Sequence, residues 1–256
     1  MKPLILALSV FLTFSLVNAD EGKELRLLSY NIHAGIGTDK VYDLERIAAV
    51  IKSTNPHIVA LQEVDKETKR SRGIDIAKKL GELTGMKSVF GASIEIGGGE
   101  YGNAILTTLD IVKTETLLIP QKIEVEQRSI LSANLAFNGA TIQVLATHLC
   151  HRETTNRVAA AEFIVAQQAP AGSTSFVIGD LNALPDSRPL EILATAGWLN
   201  PGKSPAYTFP SAEPNRQIDY VLVRPANSKK FAAKTIEVID EAVASDHRPL
   251  LVIFEP

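Results

Sequence analysis

The chain has 256 residues, 45% apolar and 21% charged, with a formal net charge of −3. These values belong to an ordinary globular chain and exclude a disordered or fibrous one. With 26 basic against 29 acidic residues and no basic run, they also disfavour a large nucleic-acid footprint.

The first twenty residues, MKPLILALSVFLTFSLVNAD, place Lys2 before an uncharged apolar run from Leu4 to Val17, followed by Val17-Asn18-Ala19. This pattern predicts a secretory signal peptide over residues 1–19, cleaved after Ala19. The run is short for a bilayer span and no basic stop follows it, so no stable membrane anchor is expected after cleavage. No Cys follows the small residues, which disfavours a lipoprotein anchor. Cleavage takes Lys2 with it and moves the net charge from −3 to −4. The expected mature domain is residues 20–256, a secreted or periplasmic monomer. Its single cysteine, Cys150, cannot form an internal disulfide and is read as a small buried hydrophobe.

Short apolar runs then alternate with helical patterns. LRLLSYN (Leu25–Asn31) reads as a strand. The next segment, from Tyr42, reads as a helix capped by Asp43, with Leu44, Ile47 and Ile51 on one face and Pro56 ending it. HIVALQEVD is a second strand. GIDIAKKLGELTG is a second helix, with Ile76, Leu80 and Leu83 inward and Gly85 closing it. Five strands follow, at Ser88–Ile96, Gly102–Thr107, Ile111–Leu118, Ser129–Phe137 and Thr141–His148. GGGEYG (Gly97–Gly102) is expected to be a flexible loop; it lacks the Lys-Ser/Thr and the helix of a phosphate-binding loop. TTNRVAAAEFIVAQQ returns to helix, SFVIGD is a strand, and SRPLEILATAG is a short helix. IDYVLVR, AKTIEVID and RPLLVIFEP are the last strands. No repeat, low-complexity tract or interdomain linker interrupts the order. The pattern fits an α/β domain with either one doubly wound sheet or two packed sheets, and the strand count favours two.

Polar residues collect where strands stop. Asn31 follows LLSY, Glu63 follows IVALQ, His148 follows VLAT, and Asp180 and Asn182 follow FVIG. Asp219 opens YVLV; Asp246 and His247 precede RPLLVIF. A single Asp or Asn at such a place is a cap or a turn. Six strands carrying them point to a site at one sheet edge. Glu63, Asp246, Asp180 and Asn31 are hard oxygen donors suited to Mg2+ or Mn2+. Scattered His residues and the absence of a thiolate pair disfavour zinc. No G-x-S-x-G elbow supports serine hydrolysis. A hard divalent ion, a His base and amide donors fit attack of water on a phosphorus ester.

The ordered set SYNIHAG, ALQEVD, GNAILT, THLCHR, GDLNALPDS, RQIDYVLV and SDHRPL resembles the endonuclease/exonuclease/phosphatase superfamily, over about Leu25 to Phe254. The resemblance implies a four-layer α/β sandwich, with two central, mostly antiparallel sheets flanked by helices. It implies that Glu63 is the main metal ligand, with Asn31 beside it and Asp246 against metal or phosphate. His247 is then the general base, oriented by Asp219. Asp180 positions the water or protonates the leaving oxygen, and Asn182 and His148 donate to the phosphoryl oxygens. The two-residue repeat of a strand would point Asp180 and Asn182 the same way.

Other residues carry two readings. Asn103 is either a substrate-side residue that orients His148, a place some relatives give to a Glu, or a structural amide. Arg128 either clamps a phosphate or forms a surface salt bridge. His33, His151 and Arg152 are candidates for the pocket rim, while His57 reads as the start of a strand. Trp198 and Tyr207–Pro210 are an aromatic wall or core, and core is the commoner fate.

For function, the complete set favours a secreted phosphoesterase over a non-catalytic binding domain on the same fold. The short chain resembles a compact bacterial branch related to glycosylphosphatidylinositol-linked and sphingomyelinase-like enzymes. A small or lipid-type phosphodiester, such as a lipid headgroup, is the expected substrate. A nuclease acting on DNA or RNA is the alternative, with a phosphomonoester third.

Overall fold

The computed structural model describes residues 24–167, 169, 172–202, 205–226 and 232–255. The signal peptide expected over residues 1–19 lies outside them. The elements are β1 (Leu25–Asn31), a single 3-10 turn (His33–Gly35), α1 (Leu44–Thr54), β2 (Ile58–Lys66), α2 (Ile76–Thr84), β3 (Lys87–Ile96), β4 (Gly99–Thr107), β5 (Asp110–Leu118) and β6 (Ser129–Phe137). They continue as β7 (Ala140–His148), α3 (Thr154–Ala166), β8 (Ser175–Asp180), α4 (Arg188–Thr195), β9 (Asp219–Arg224), β10 (Ala232–Val238) and β11 (Leu250–Glu255).

The strands form two sheets, ordered β10-β11-β1-β2-β4-β3 and β5-β6-β7-β8-β9. Only β1–β2 and β7–β8 run parallel, each pair joined through one helix, α1 or α3. All other neighbours are antiparallel.

Strand periodicity explains the layers. In β1, Leu25 and Leu27 join a core between the sheets, while Leu28 and Tyr30 pack on the other face with Leu44, Ile47 and Ile51 of α1 and Ile76 and Leu80 of α2. In β8, Phe176 and Ile178 face the inter-sheet core, and Val177 packs with Ala160, Ile164 and Leu193 from α3 and α4. Central strands buried on both faces must be apolar at every position, which is why they read as continuous runs. The result is a four-layer sandwich of helices, sheet, sheet and helices. Trp198 sits in the outer core beside α4, 1% exposed, and not on a cleft wall.

The helix ends follow local chemistry. The Asp43 carboxylate accepts from the Arg46 N–H at 2.9 Å, and Asn55, left-handed at φ 43°, closes α1 before Pro56. Asp75 caps α2 in the same way and Gly85 closes it at φ 72°. The Gly-rich segment is not a flexible loop. Gly97 and Gly98, both at positive φ, form a two-residue hairpin turn, and Gly99 already belongs to β4. Cys150 is buried and forms no disulfide, and its sulfur accepts the Glu153 N–H at 3.3 Å.

Candidate active site

The second sheet brings three residues into one row. His148 ends β7, Asp180 ends β8 and Asp219 opens β9; the register pairs His148 with Asp180 and Asp180 with Asp219. Residues opposite one another on neighbouring strands are held about 5 Å apart, so the row follows from pairing alone. All three are buried. His148 Nε2 stands 3.5 Å from Asp180 Oδ2. Gly179 makes the pairing possible: a Cβ there would lie 1.9 Å from the Thr147 carbonyl oxygen.

Asn182 reaches the same cleft, but not by the two-residue repeat of a strand. β8 stops at Asp180, whose Oδ1 accepts the Asn182 N–H at 2.8 Å. Asn182 is left-handed at φ 47°, and its amide donates to the Leu149 carbonyl at 3.1 Å. An Asx turn, not the pleat, sets the carboxylate and the amide side by side.

The first sheet supplies Glu63 through a bulge. Leu61 pairs with Ala104 and Val64 with Gly102, so Gln62 and Glu63 together oppose Asn103. Glu63 sits at φ 59°, a strained position for a residue with a side chain. Asn31, at the end of β1, places Nδ2 at 3.1 Å from Glu63 Oε1 and 3.3 Å from Asp180 Oδ2, while its Oδ1 accepts the His33 N–H. Here the amide nitrogen, not the oxygen, faces the carboxylates.

His247 arrives on the turn before β11. The Ser245 hydroxyl donates to the Asn31 carbonyl at 2.7 Å and accepts the His247 N–H at 3.3 Å, pinning that turn to β1. Asp219 Oδ2 lies 2.9 Å from His247 Nδ1 and also accepts the Thr208 hydroxyl. A carboxylate only accepts, so Nδ1 carries the proton and Nε2 turns toward Asp180 Oδ2, 3.7 Å away. The Phe209 ring backs the imidazole with centroids 4.7 Å apart.

This burial and charge reshape the acid–base chemistry. Burial works against the His247 imidazolium, but Asp219, Asp180 and Asp246 override it and raise its pKa to about 10. Burial, helped by Asp219 and opposed by His247, raises Asp180 to about 7. Burial and then the Arg128 cation hold His148 well below the usual histidine range. The site therefore pairs a basic imidazole with a carboxyl able to hold a proton near neutrality.

His148, Asp180, Asn182 and His247 line a cleft of about 620 Å3; Asp219 and Asn31 are not part of its lining. Glu63 and Asp246 face it, half-buried, and neither makes an ion pair among the described residues. Their hard oxygens, with Asn31 beside Glu63, fit a divalent cation. The tightest cluster of ligating chemistry among the described residues is Asp180, Asp219 and His247, whose donor atoms lie within 4.8 Å of one another. Within it, Asp219 and His247 are already joined by a 2.9 Å hydrogen bond.

Two expectations about neighbouring residues change. Asn103 does not face the cleft or touch His148. It is 1% exposed, and its amide donates to the Ser129 carbonyl at 3.1 Å, tying the first sheet to the second beneath the cleft. Arg128 is no surface salt bridge: its side chain is 7% exposed, on the cleft wall, against Glu126 at 2.9 Å and His148 Nδ1 at 3.2 Å. His151 is at the cleft and Arg152 beside an adjoining hollow. His33 binds the Ile36 carbonyl outside the cleft lining, and His57 Nδ1 accepts the Arg26 N–H at the start of β2.

Sequence reasoning missed Arg70, Tyr101 and Arg216. Arg70 grips buried Asp65 through two 2.7 Å contacts and lies over the Tyr101 ring. Arg216 lies 4.7 Å from the Phe209 ring centroid. The available signal for Arg216 was its place three residues before Asp219; for Arg70 it was only the mixed-charge segment KETKR at the end of β2.

Fold and site together define a metal-dependent hydrolase of phosphoric esters. Residues 28–247 match the sequence profile of the Endonuclease/Exonuclease/phosphatase family, and the chain belongs to that family. It is similar to an endonuclease/exonuclease/phosphatase from Beutenbergia cavernae DSM 12333, at 22% identity and a TM-score of 0.75, covering 91% of this chain and 71% of that one. A mannosyl-6-phosphatase from Bacteroides thetaiotaomicron VPI-5482 superposes with a TM-score of 0.71 at 19% identity, over 90% and 99% of the two chains. A humanized D. rerio TDP2 superposes with a TM-score of 0.72 at 18% identity, over 91% and 99%. At these identities the structures share the fold alone. No curated protein matches the chain.

Proposed function

We propose that the protein is an exported phosphodiesterase that uses Mg2+ or Mn2+ and acts on small or lipid-type phosphodiesters. The observation that carries this reading is the pair of unpaired carboxylates, Glu63 and Asp246, beside the Asp219–His247–Asp180 relay. A cleft that must accept an anionic phosphate cannot leave such carboxylates uncompensated; a divalent cation held by Glu63 and Asp246, with Asn31 alongside, removes the conflict. When bound, the ion supplies charge stabilisation to a phosphoryl oxygen and to the attacking water.

The chain's own residues do the rest. Asp219 fixes the His247 tautomer so that Nε2 takes a proton from water. A cation held by Glu63 and Asp246 would lower the basicity of His247 toward the range a general base needs. Asp180 holds a proton for the leaving oxygen, and the Asn182 amide and His148 orient the phosphoryl group. Ile94, Ile96, Phe209 and Ile218 give the cleft apolar surface for the alcohol side of an ester. Arg70 and Arg128 are neutralised by Asp65 and Glu126, which leaves little free positive charge to track a polynucleotide. The leader read in residues 1–19 supports export. No described helix is long and apolar enough to cross a membrane.

The test is to incubate the mature protein and its His247→Ala variant with bis-p-nitrophenyl phosphate, sphingomyelin, phosphatidylinositol and plasmid DNA. Mg2+, Mn2+ and Ca2+ are supplied in turn. Metal-dependent headgroup release, absent from the variant, is expected. Efficient plasmid nicking without headgroup release would replace this reading with that of a nuclease.

A further inference from the structure

We propose that Arg128 is a positioning residue that locks His148 in its Nε2–H tautomer, so that His148 meets the phosphoryl group as a hydrogen-bond donor and takes no proton itself. The part concerning substrate rests on the function proposed above; the tautomer does not. An Arg128 guanidinium nitrogen lies 3.2 Å from His148 Nδ1, in a buried contact. A guanidinium donates and never accepts. The imidazole nitrogen facing it must therefore offer a lone pair, and the ring proton must sit on Nε2. The other end of the ring agrees: Nε2 faces the Asp180 carboxylate at 3.5 Å.

His247 is the opposite case. Its Nδ1 faces the Asp219 carboxylate at 2.9 Å, so its proton sits on Nδ1. Both imidazoles thus address the same Asp180 oxygen, and once His247 is in its neutral form the two rings carry opposite tautomers. Only His247 can offer an Nε2 lone pair to water. The partner at Nδ1, an arginine for one ring and an aspartate for the other, divides the labour.

Arg128 is built to hold this position. Glu126 binds the same nitrogen at 2.9 Å, and Arg128 Nε is buried with no partner of its own. His151 is not fixed in the same way. Arg128 lies 3.3 Å from its Nδ1 and Arg152 Nε lies 3.3 Å from its Nε2. A neutral imidazole cannot accept at both nitrogens, so one of these contacts is not a hydrogen bond.

The experiment is a long-range 1H–15N correlation spectrum of the full mature chain, loaded with Mg2+ and labelled at its histidine ring nitrogens. The His148 signals are assigned by their loss in His148→Gln. The wild type should show His148 protonated at Nε2 and bare at Nδ1. Arg128→Met should move those signals toward a mixture of tautomers and lower kcat by roughly ten- to a hundredfold, with KM little changed. Arg128→Lys, which returns a donor beside Nδ1, should restore the tautomer and much of the rate. A wild-type spectrum with the proton on Nδ1, or an unchanged tautomer in Arg128→Met, would overturn the proposal. A raised KM with tautomer and kcat intact would make Arg128 a phosphate clamp instead. Should Arg128→Met fail to fold, the wild-type and Arg128→Lys spectra still decide. Should no substrate in the panel be hydrolysed, the assigned function fails while the tautomer result stands.

Discussion

In the second sheet, His148, Asp180 and Asp219 stand abreast because three neighbouring strands place them in one register row. In the first sheet no two of the site residues pair with each other in register. Glu63 gains the cleft through a bulge and a left-handed backbone, and His247 through a turn pinned by Ser245. Each sheet has one parallel β–α–β pair, and its polar groups lie at the carboxyl ends of that pair. The row in the second sheet is held by ladder hydrogen bonds that cannot slip without turning side chains to the wrong face. On the side proposed to hold metal, Glu63 instead sits in a bulge with a left-handed backbone.

The largest effect separating the two sides should come from removing metal. Chelation followed by gel filtration should reduce turnover of bis-p-nitrophenyl phosphate to background, with Mg2+ or Mn2+ restoring it. Undiminished turnover would remove the metal role from Glu63 and Asp246. Next in size, His247→Ala and Asp180→Asn should each lose on the order of a hundredfold or more in kcat while circular dichroism stays unchanged. Asp219 acts through His247, so the Asp219→Asn, His247→Ala double variant should lose less than the two single losses combined. Additive losses would mean that the two do not work as a pair.

Stability sharpens the contrast. Gly179→Ala drives a methyl into the Thr147 carbonyl and should cost about 3 kcal/mol in chemical denaturation, breaking the register row. Glu63→Gly relaxes a left-handed residue while adding chain entropy, and should stay within about 1 kcal/mol of wild type despite losing metal-dependent activity. Equal destabilisation in both would erase the distinction between the two sides. The smallest effect belongs to the rim: Arg216→Ala should raise KM a few-fold with kcat nearly intact, since an exposed cation contributes about 1 kcal/mol or less. A fall in kcat with KM constant would move Arg216 into the reacting centre.

The two sides also differ in how plainly they can be read in the chain. His148, Asp180 and Asp219 are visible because each interrupts a strong apolar run at its end, and ladder geometry then does what the runs imply. Glu63 is visible as a residue but not as a conformation. Nothing in LQEVD, which has no Gly and no Asn, announces a left-handed position; the bulge is set by β4 opposite it. Asn182 has the right place for a different reason, because an Asx turn replaced the pleat. Asn103 stayed open between two readings because its partner, Ser129, lies on another sheet. Arg128 was ambiguous because its meaning depends on His148, twenty residues away at the end of β7, the strand paired with the β6 that Arg128 precedes. Helix caps such as Asp43 and Gly85 are local chemistry and need no such partner.

The Ser245 hydroxyl reaches back 214 positions to the carbonyl of Asn31, at the end of the first strand. Between them lies almost the whole fold, and β11 slots between β1 and β10. Closing so long a loop is among the slowest contacts a chain can make. Helices and hairpins can form earlier, and the row in the second sheet can align, yet His247 has no fixed address until β11 docks. Hydrolytic competence thus requires that docking, whatever else of the fold is in place.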